Sequence, residues 1–226
     1  MKFLTVFQVA LLAFSAAASP LKFGSSVSKD GANKDLYKRL NVNDTVFLLL
    51  DLQAGLFSLV DDWQSDEFKA NALGLAEASA LLDIPVVLTS SVEDGPNGLL
   101  LPEAKSLQKN ATYVPRKEEI NAWDNAEVVQ AIKETSRKQI VMAGIGTDVC
   151  VAFPALSAVQ EGYEVFDASG TFNQEVRDLT LARMVQAGVQ PMNFSHLCVN
   201  WPAIGEILLM VVLARSLPST FLTTRI

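Results

Sequence analysis

Histidine is almost missing from this chain: 226 residues contain one, His196. A lone imidazole cannot build a histidine-rich zinc or iron site, and no Asp or Glu shows ligand spacing around it. A Cys–His nucleophile pair would have to use that same residue, which lies beside Cys198 in an irregular region. Cysteine is nearly as scarce, with Cys150 and Cys198 only. Two cysteines make no disulfide framework, and a domain of this size does not need one. The absence of a C-x-x-C pair weakens a thiol-redox reading, although the two thiols could still pair and cap Cys150. Cations are in the minority, 18 Lys and Arg against 25 Asp and Glu, for a net charge of −7. That balance argues against nucleic acid or an anionic membrane surface as a partner. The apolar stretches Phe3–Phe14 and Ile207–Ala214 both fall short of the roughly 20 residues that span a bilayer.

What is present suits one well-filled core, with 50% hydrophobic residues over a length that favours one domain. Lys2, the apolar stretch to Phe14 and Ala16-Ala17-Ala18 have the layout of a secretory signal peptide over residues 1–18, cut near Ser19. The mature protein is therefore expected to be secreted and to leave no segment in a membrane. Sequons beginning at Asn43, Asn110 and Asn193 fit that route, though such triplets also arise by chance. Residues 19–41 are polar and mixed and read as a flexible lead-in. A folded domain follows over 42–194, then a tail over 195–226.

From Thr45 onward strands and helices alternate. Thr45–Leu50 is a continuous apolar run ending at Asp51. Ser65 is placed to cap a helix through Phe68, Leu73, Ala76 and Leu81, with Asp66 and Glu67 in its first turn. Ile84–Thr89 reads as a second strand and Gly95-Pro96-Asn97-Gly98 as a loop. Asp124-Asn125-Ala126-Glu127 has capping-box spacing and opens a helix through Ile132. Gln139–Ile145 is a third strand, Tyr163–Phe166 a fourth, and Val189–Phe194 a candidate last one, with helices over Val151–Glu161 and Arg177–Ala187. Uninterrupted apolar strands between amphipathic helices predict an α/β fold with a parallel sheet covered on both faces.

Sites in such sheets lie at the C-terminal ends of the strands. Asp51 and Cys150 both sit there. Cys150 follows Gly144-Ile145-Gly146-Thr147-Asp148-Val149, a tight turn from strand into helix. The partial positive charge of a helix N-terminus would lower its pKa and make it a nucleophile. The plain alternative is a buried structural cysteine. Asp51 could accept the thiol proton or hold the thiol in reach, and a cation from Arg116 or Lys117 could steady a thiolate. Those two could equally be a solvated loop pair, since Glu118 and Glu119 follow at once.

Several long stretches resemble the isochorismatase-like cysteine hydrolases, and more closely their YcaC-type branch. They are Asp51-Leu52-Gln53-Ala54-Gly55-Leu56, Gly95-Pro96-Asn97-Gly98, Ile120-Asn121-Ala122-Trp123-Asp124-Asn125, Gly146-Thr147-Asp148-Val149-Cys150-Val151-Ala152-Phe153-Pro154-Ala155-Leu156-Ser157-Ala158 and Asp167-Ala168-Ser169-Gly170-Thr171-Phe172-Asn173. The resemblance implies a Rossmann-like three-layer sandwich with a mostly parallel sheet of about six strands. It implies an Asp–cation–Cys triad with Asp51 as general base and Cys150 as nucleophile. The wider superfamily puts the cation at Lys117, the YcaC-type branch at Arg116. A cis peptide would fall at Gly146–Thr147 and aim the N–H groups of Gly146 and Cys150 at an oxyanion. Gln53, Asn121 and Trp123 would line the pocket.

The implied reaction is attack of the Cys150 thiolate on a small amide or related carbonyl, then hydrolysis of the thioester. Vinyl-ether hydrolysis, which needs no thiol, is the further possibility. No cofactor is implied, and the histidines of the nicotinamidase metal site have no counterpart. Family analogy suggests a homo-oligomer with a small-molecule substrate. A non-catalytic relative that keeps the fold for partner binding is the competing reading. Tyr163–Phe166 runs straight into Asp167, about three residues short of the family strand, which is expected to change which way its side chains face. The resemblance ends near Phe194, and the tail from about Ser195 reads as divergent or as the product of a shifted frame.

Overall fold

The structure is a computed structural model that describes residues 38–193, apart from 63, 65–67, 69, 70, 73, 76, 77, 81 and 108–110. The signal segment, the tail with His196 and Cys198, the Ser65 cap with Asp66 and Glu67, and Leu73, Ala76 and Leu81 of the helix behind it lie outside the described residues.

Six strands form one sheet: β1 (Thr45–Leu50), β2 (Val86–Ser91), β3 (Thr112–Arg116), β4 (Gln139–Gly144), β5 (Glu164–Asp167) and β6 (Gln190–Pro191). They stand in the order β3-β2-β1-β4-β5-β6. Every neighbouring pair is parallel. The helices are α1 (Ala54–Phe57), α2 (Pro102–Leu107), α3 (Ala126–Glu134), α4 (Ala152–Gln160) and α5 (Gln174–Gln186), and helical turns also pass through Phe68, Ala72, Leu75 and Ala78.

β1 carries no polar face because neither of its faces meets water. Phe47 and Leu49 pack with Phe68, Ala72, Leu75 and Phe166 on one side of the sheet. Val46, Leu48 and Leu50 pack with Val128, Ile132, Ala155, Ala158 and Met184 on the other. Each of these Val, Leu, Ile, Phe and Met side chains contributes about 1.5–3 kcal/mol by leaving water. The two cores and the sheet between them make the three layers, so the expected α/β architecture is the observed one.

Several boundaries move for local reasons. Leu40, assigned to the lead-in, is buried in the first core, and Arg39 and Asn41 bond to the Gln139 side chain, so the packed body starts earlier than residue 42. The α3 cap is Asn125, whose side chain accepts from the N–H groups of Glu127 and Val128, one residue later than the capping-box spacing suggests. β3 falls where sequence reading assigns no strand. Pro115 obscures it, yet β3 is a sheet edge, where a missing N–H costs nothing in the ladder.

The short β5 keeps its register. Gln139 to Met142 pair with Glu164 to Asp167, and the Ile145–Gly170 bridge continues the same offset. The anticipated change of facing causes no mispacking, because both faces of β5 are covered: Val165 enters one core and Phe166 the other. β1 and β4 approach so closely that a Cβ on Gly144 would stand 2.2 Å from the Leu50 carbonyl oxygen. That contact draws the ends of the two central strands together.

Candidate active site

Three strands deliver three side chains to one end of the sheet. Asp51 leaves β1 in the left-handed region, at φ 54, and is fully buried. Such backbone in a non-glycine residue is costly and persists only where surrounding contacts hold it. Here the Asp51 N–H donates to the Thr89 carbonyl at 3.0 Å, and the Gln53 N–H donates to the Asp51 carbonyl at 2.7 Å.

Arg116 ends β3 with a side chain fully shielded from solvent. Its Nε donates to Thr89 Oγ1 at 2.9 Å. Its Nη1 donates to the carbonyls of Glu119 at 2.6 Å and Ile120 at 3.0 Å. Its Nη2 forms the ion pair with Asp51 Oδ1. Asp51 Oδ2 is buried without a hydrogen-bond partner of ordinary geometry. One carboxylate oxygen is thus clamped by the guanidinium and the other is left for chemistry.

β4 runs into a turn that supplies Cys150. Gly146 takes φ +83, and Thr147–Val151 forms a π-helical turn in which the Val151 N–H reaches back to the Gly146 carbonyl at 3.2 Å. Wide turns of this kind often occur at functional sites. The turn is tied to the loop after β5. The Gly146 and Thr147 N–H groups donate to the Gly170 carbonyl at 2.9 and 3.2 Å. Ser169 Oγ bridges Thr147 Oγ1 at 2.8 Å and Asp167 Oδ1 at 2.6 Å, and Thr171 Oγ1 donates to Asp148 Oδ1 at 2.5 Å.

Cys150 is a free, partly buried thiol. Burial pushes its pKa up to about 12, the charge of Asp51 and a hydrogen bond to it add to the rise, and Arg116 opposes it. This corrects the expectation from the helix N-terminus: the resting group is a protonated thiol, because loss of hydration and a facing carboxylate outweigh a partial helix charge.

The thiol opens into a cavity of about 260 Å³ lined by Leu56, Val92, Ile120, Ile145, Val149 and Phe172, with Ser91, Asn97, Glu118 and Glu119 at its polar side. Among the described residues, no group of three or more His, Cys, Asp or Glu side chains is placed to hold a metal ion.

The family model for the isochorismatase domain matches residues 45–195. The chain belongs to the isochorismatase family. It is a hydrolase of that family. The chain is 50% identical over 161 residues to the probable hydrolase YcaC of Escherichia coli K12, covering 70% of this chain and 77% of that one. A solved YcaC structure from Pseudomonas aeruginosa, described with hexane-2,5-diol and covalent acrylamide, superposes with a TM-score of 0.73 at 47% identity, covering 79% of this chain and 94% of that one. The Escherichia coli YcaC structure, described as an octameric hydrolase of unknown specificity, gives a TM-score of 0.78 at 42% identity, covering 83% and 96%.

Set against what the family resemblance implies, the geometry sorts the candidates. Asp51, Arg116 and Cys150 converge. Lys117 lies one residue past the end of β3 and is exposed; the buried ion pair with Asp51 is made by Arg116. No peptide among the described residues is cis, Gly146–Thr147 included. The Gly146 N–H cannot be an oxyanion donor as it stands, nor can that of Thr147, because both are spent on Gly170.

The three pocket candidates are braces that lie outside the cavity lining. Gln53 is buried, its Nε2 donating to the Ser91 carbonyl at 2.9 Å and its Oε1 accepting from the Ser91 N–H at 2.8 Å. Asn121 caps the short turn Ala122–Asp124 through the Trp123 N–H. Trp123 packs edge-on to Tyr163, and its Nε1 donates to Glu161 at 2.8 Å. Thr89, Ser169 and Phe172 were not singled out beforehand; Thr89 had no signal, while the other two lie in the Asp167–Asn173 stretch that carries the resemblance.

Proposed function

We propose that this protein is a cysteine hydrolase of small amides or related C–N compounds, working through Asp51, Arg116 and Cys150. The observation that carries the reading is the buried Asp51 carboxylate, held by Arg116 through Oδ1 and acting by charge and hydrogen bond on the Cys150 thiol. As Cys150 Sγ attacks the carbonyl carbon, its proton passes to Asp51 Oδ2, and the carbonyl oxygen becomes the oxyanion. Collapse breaks the C–N bond, and the amine leaves with the proton from Asp51. The thioester then takes up water, which gives a proton to Asp51 as it attacks. The acid departs and the thiol regains its proton.

The raised thiol pKa suits this order of events. A neutral thiol that loses its proton during attack needs a base within reach, and Asp51 is that base. Arg116 keeps the carboxylate in place and limits the local build-up of negative charge. The backbone N–H of Cys150 is the oxyanion donor in this reading, since those of Gly146 and Thr147 are committed. The covalent acrylamide described for the Pseudomonas aeruginosa YcaC structure supports a reactive nucleophile in that relative.

The test is turnover of a panel of small primary amides, with intact mass to trap the acyl-enzyme. Cys150→Ala and Asp51→Asn should each lose at least about 10³-fold in kcat/KM, and only the parent should show the adduct. Undiminished amide turnover in Cys150→Ala would overturn the thiol nucleophile.

Secretion belongs to the same proposal, resting on the layout of residues 1–18. N-terminal sequencing of protein from the culture medium should begin at Ser19. A homo-oligomer is proposed from the octamer described for the Escherichia coli relative, and sedimentation of the purified chain tests it.

A further inference from the structure

The cavity beside Cys150 has an apolar body and an acidic side, and among the described residues no Lys, Arg or His lines it. Its apolar walls include Val92 and Phe172, at 43% and 39% exposure, which are open to an incoming molecule. The polar side is Glu118 and Glu119 with Asn97 and Ser91. Backbone N–H groups and Asn125 hold the Glu119 carboxyl below its usual range, so it is anionic at neutral pH. Asn97 spends its Nδ2 on the carbonyl and hydroxyl of Ser91, both at 3.1 Å, which leaves its carbonyl oxygen as the free group.

Arg116, which bonds to the Glu119 and Ile120 carbonyls, gives no relief. Arg116 commits its guanidinium to Thr89, Glu119, Ile120 and Asp51 through four of its five N–H groups. Apart from Cys150 itself, what the polar side of the cavity offers a ligand is therefore hydrogen-bond acceptors and negative charge.

From this we infer that Glu118 and Glu119 set specificity: the site takes small, largely apolar amides that are neutral or cationic and rejects molecules that carry a carboxylate. The inference rests on the cysteine-hydrolase reading for its reaction but on the cavity alone for its charge rule. A substrate carboxylate would lose water on entry and find acceptors in place of donors. An amide N–H or an ammonium group would find the partners it needs.

The experiment alkylates the full chain with iodoacetamide or iodoacetate, which differ in little but charge. In both, Cys150 Sγ displaces iodide and its proton goes to buffer. Rates at Cys150 are resolved from Cys198 by peptide mass, and each is divided by the rate with 2-mercaptoethanol. At low ionic strength iodoacetamide should lead by about tenfold or more, with the gap narrowing as salt is raised. The double variant Glu118→Gln, Glu119→Gln, which keeps the acceptor toward Asn125, should bring the two reagents within about threefold.

Equal rates, a lead for iodoacetate, or a gap that ignores either salt or the double variant would overturn the charge rule. If the double variant does not fold, Glu118→Gln and Glu119→Gln are taken singly, because the charges of Asp51 and Asp148 also act on Cys150 and would contribute to the salt dependence of the parent. Alkylation reads the charge of the cavity whether or not amides turn over, so failure of the hydrolase reading and failure of this inference give different results.

Discussion

Replacing Arg116 by Met tests the centre of the site most directly. The side chain is fully shielded, and its removal leaves the buried Asp51 carboxylate without its ion-pair partner. Breaking a buried pair from one side costs about 3–5 kcal/mol, because the remaining charge is neither hydrated nor compensated. The hydrogen bonds to Thr89, Glu119 and Ile120 go as well; the two carbonyls border the cavity and can recover water, so their loss adds little to that range. Met keeps most of the volume, which limits any cavity term.

The assay is urea unfolding at one fixed protein concentration, with Lys117→Met beside it. Lys117 is exposed, and its replacement should stay within about 0.5 kcal/mol of the parent. Adding Asp51→Asn to the Arg116→Met variant should restore at least about 1 kcal/mol, since the stranded charge is then gone. Arg116 is also the one influence that lowers the Cys150 pKa, so alkylation of Cys150 at pH 8 should slow in Arg116→Met. A loss below about 1 kcal/mol for Arg116→Met, or an equal loss for Lys117→Met, would refute the assignment of the cation.

Three further outcomes follow from the same geometry. The alkylation rate of Cys150 should keep rising about tenfold per pH unit beyond pH 9, as a thiol pushed up to about 12 requires, and a plateau below pH 8 would contradict it. Gly144→Ala should cost more than about 2 kcal/mol, because the new Cβ meets the backbone of Leu50 at 2.2 Å and β1 must move off β4; unchanged stability would sink the close-approach argument. Burial pushes the Asp167 carboxyl up to about 7, against about 3.9 in the unfolded chain. Between those values the folded state holds a proton that the unfolded state has lost, so stability falls as pH rises through the window and levels off above it. Asp167→Asn, which can still accept from Ser169, removes that slope. It should match the parent near pH 4 and exceed it by at least about 1 kcal/mol at pH 8; parallel curves in thermal or urea unfolding would refute it.

Some of the site is written in short segments. Thr45–Leu50 and Gln139–Gly144 are uninterrupted apolar runs, and such runs become central strands of a covered parallel sheet wherever they stand in a chain. Asp51 and Cys150 are then placed at strand ends by position alone. Arg116 is different. It and Lys117 are adjacent cations, and only the pairing of β3 with β2, which sets Arg116 beside Ser91, turns one inward. Pro115 and the interrupted apolar pattern of Thr112–Arg116 hid that strand. Gln53, Asn121 and Trp123 lie next to residues of the site, but their polar atoms are consumed by capping and bracing, which neighbouring sequence does not reveal.

The sequence by itself determined the α/β class, the central strands, the helices that follow them and the two strand ends where Asp51 and Cys150 emerge. Those features depend on periodicity and on residues a few positions apart. Tertiary structure alone decided that Arg116 rather than Lys117 meets Asp51, that Gly146 and Thr147 spend their N–H groups on Gly170, and that the Cys150 thiol rests protonated. Each of these depends on how much water is excluded and on which groups from distant strands stand within a few ångströms. Both are properties of packing, to which a helix N-terminus or a turn motif contributes only one part.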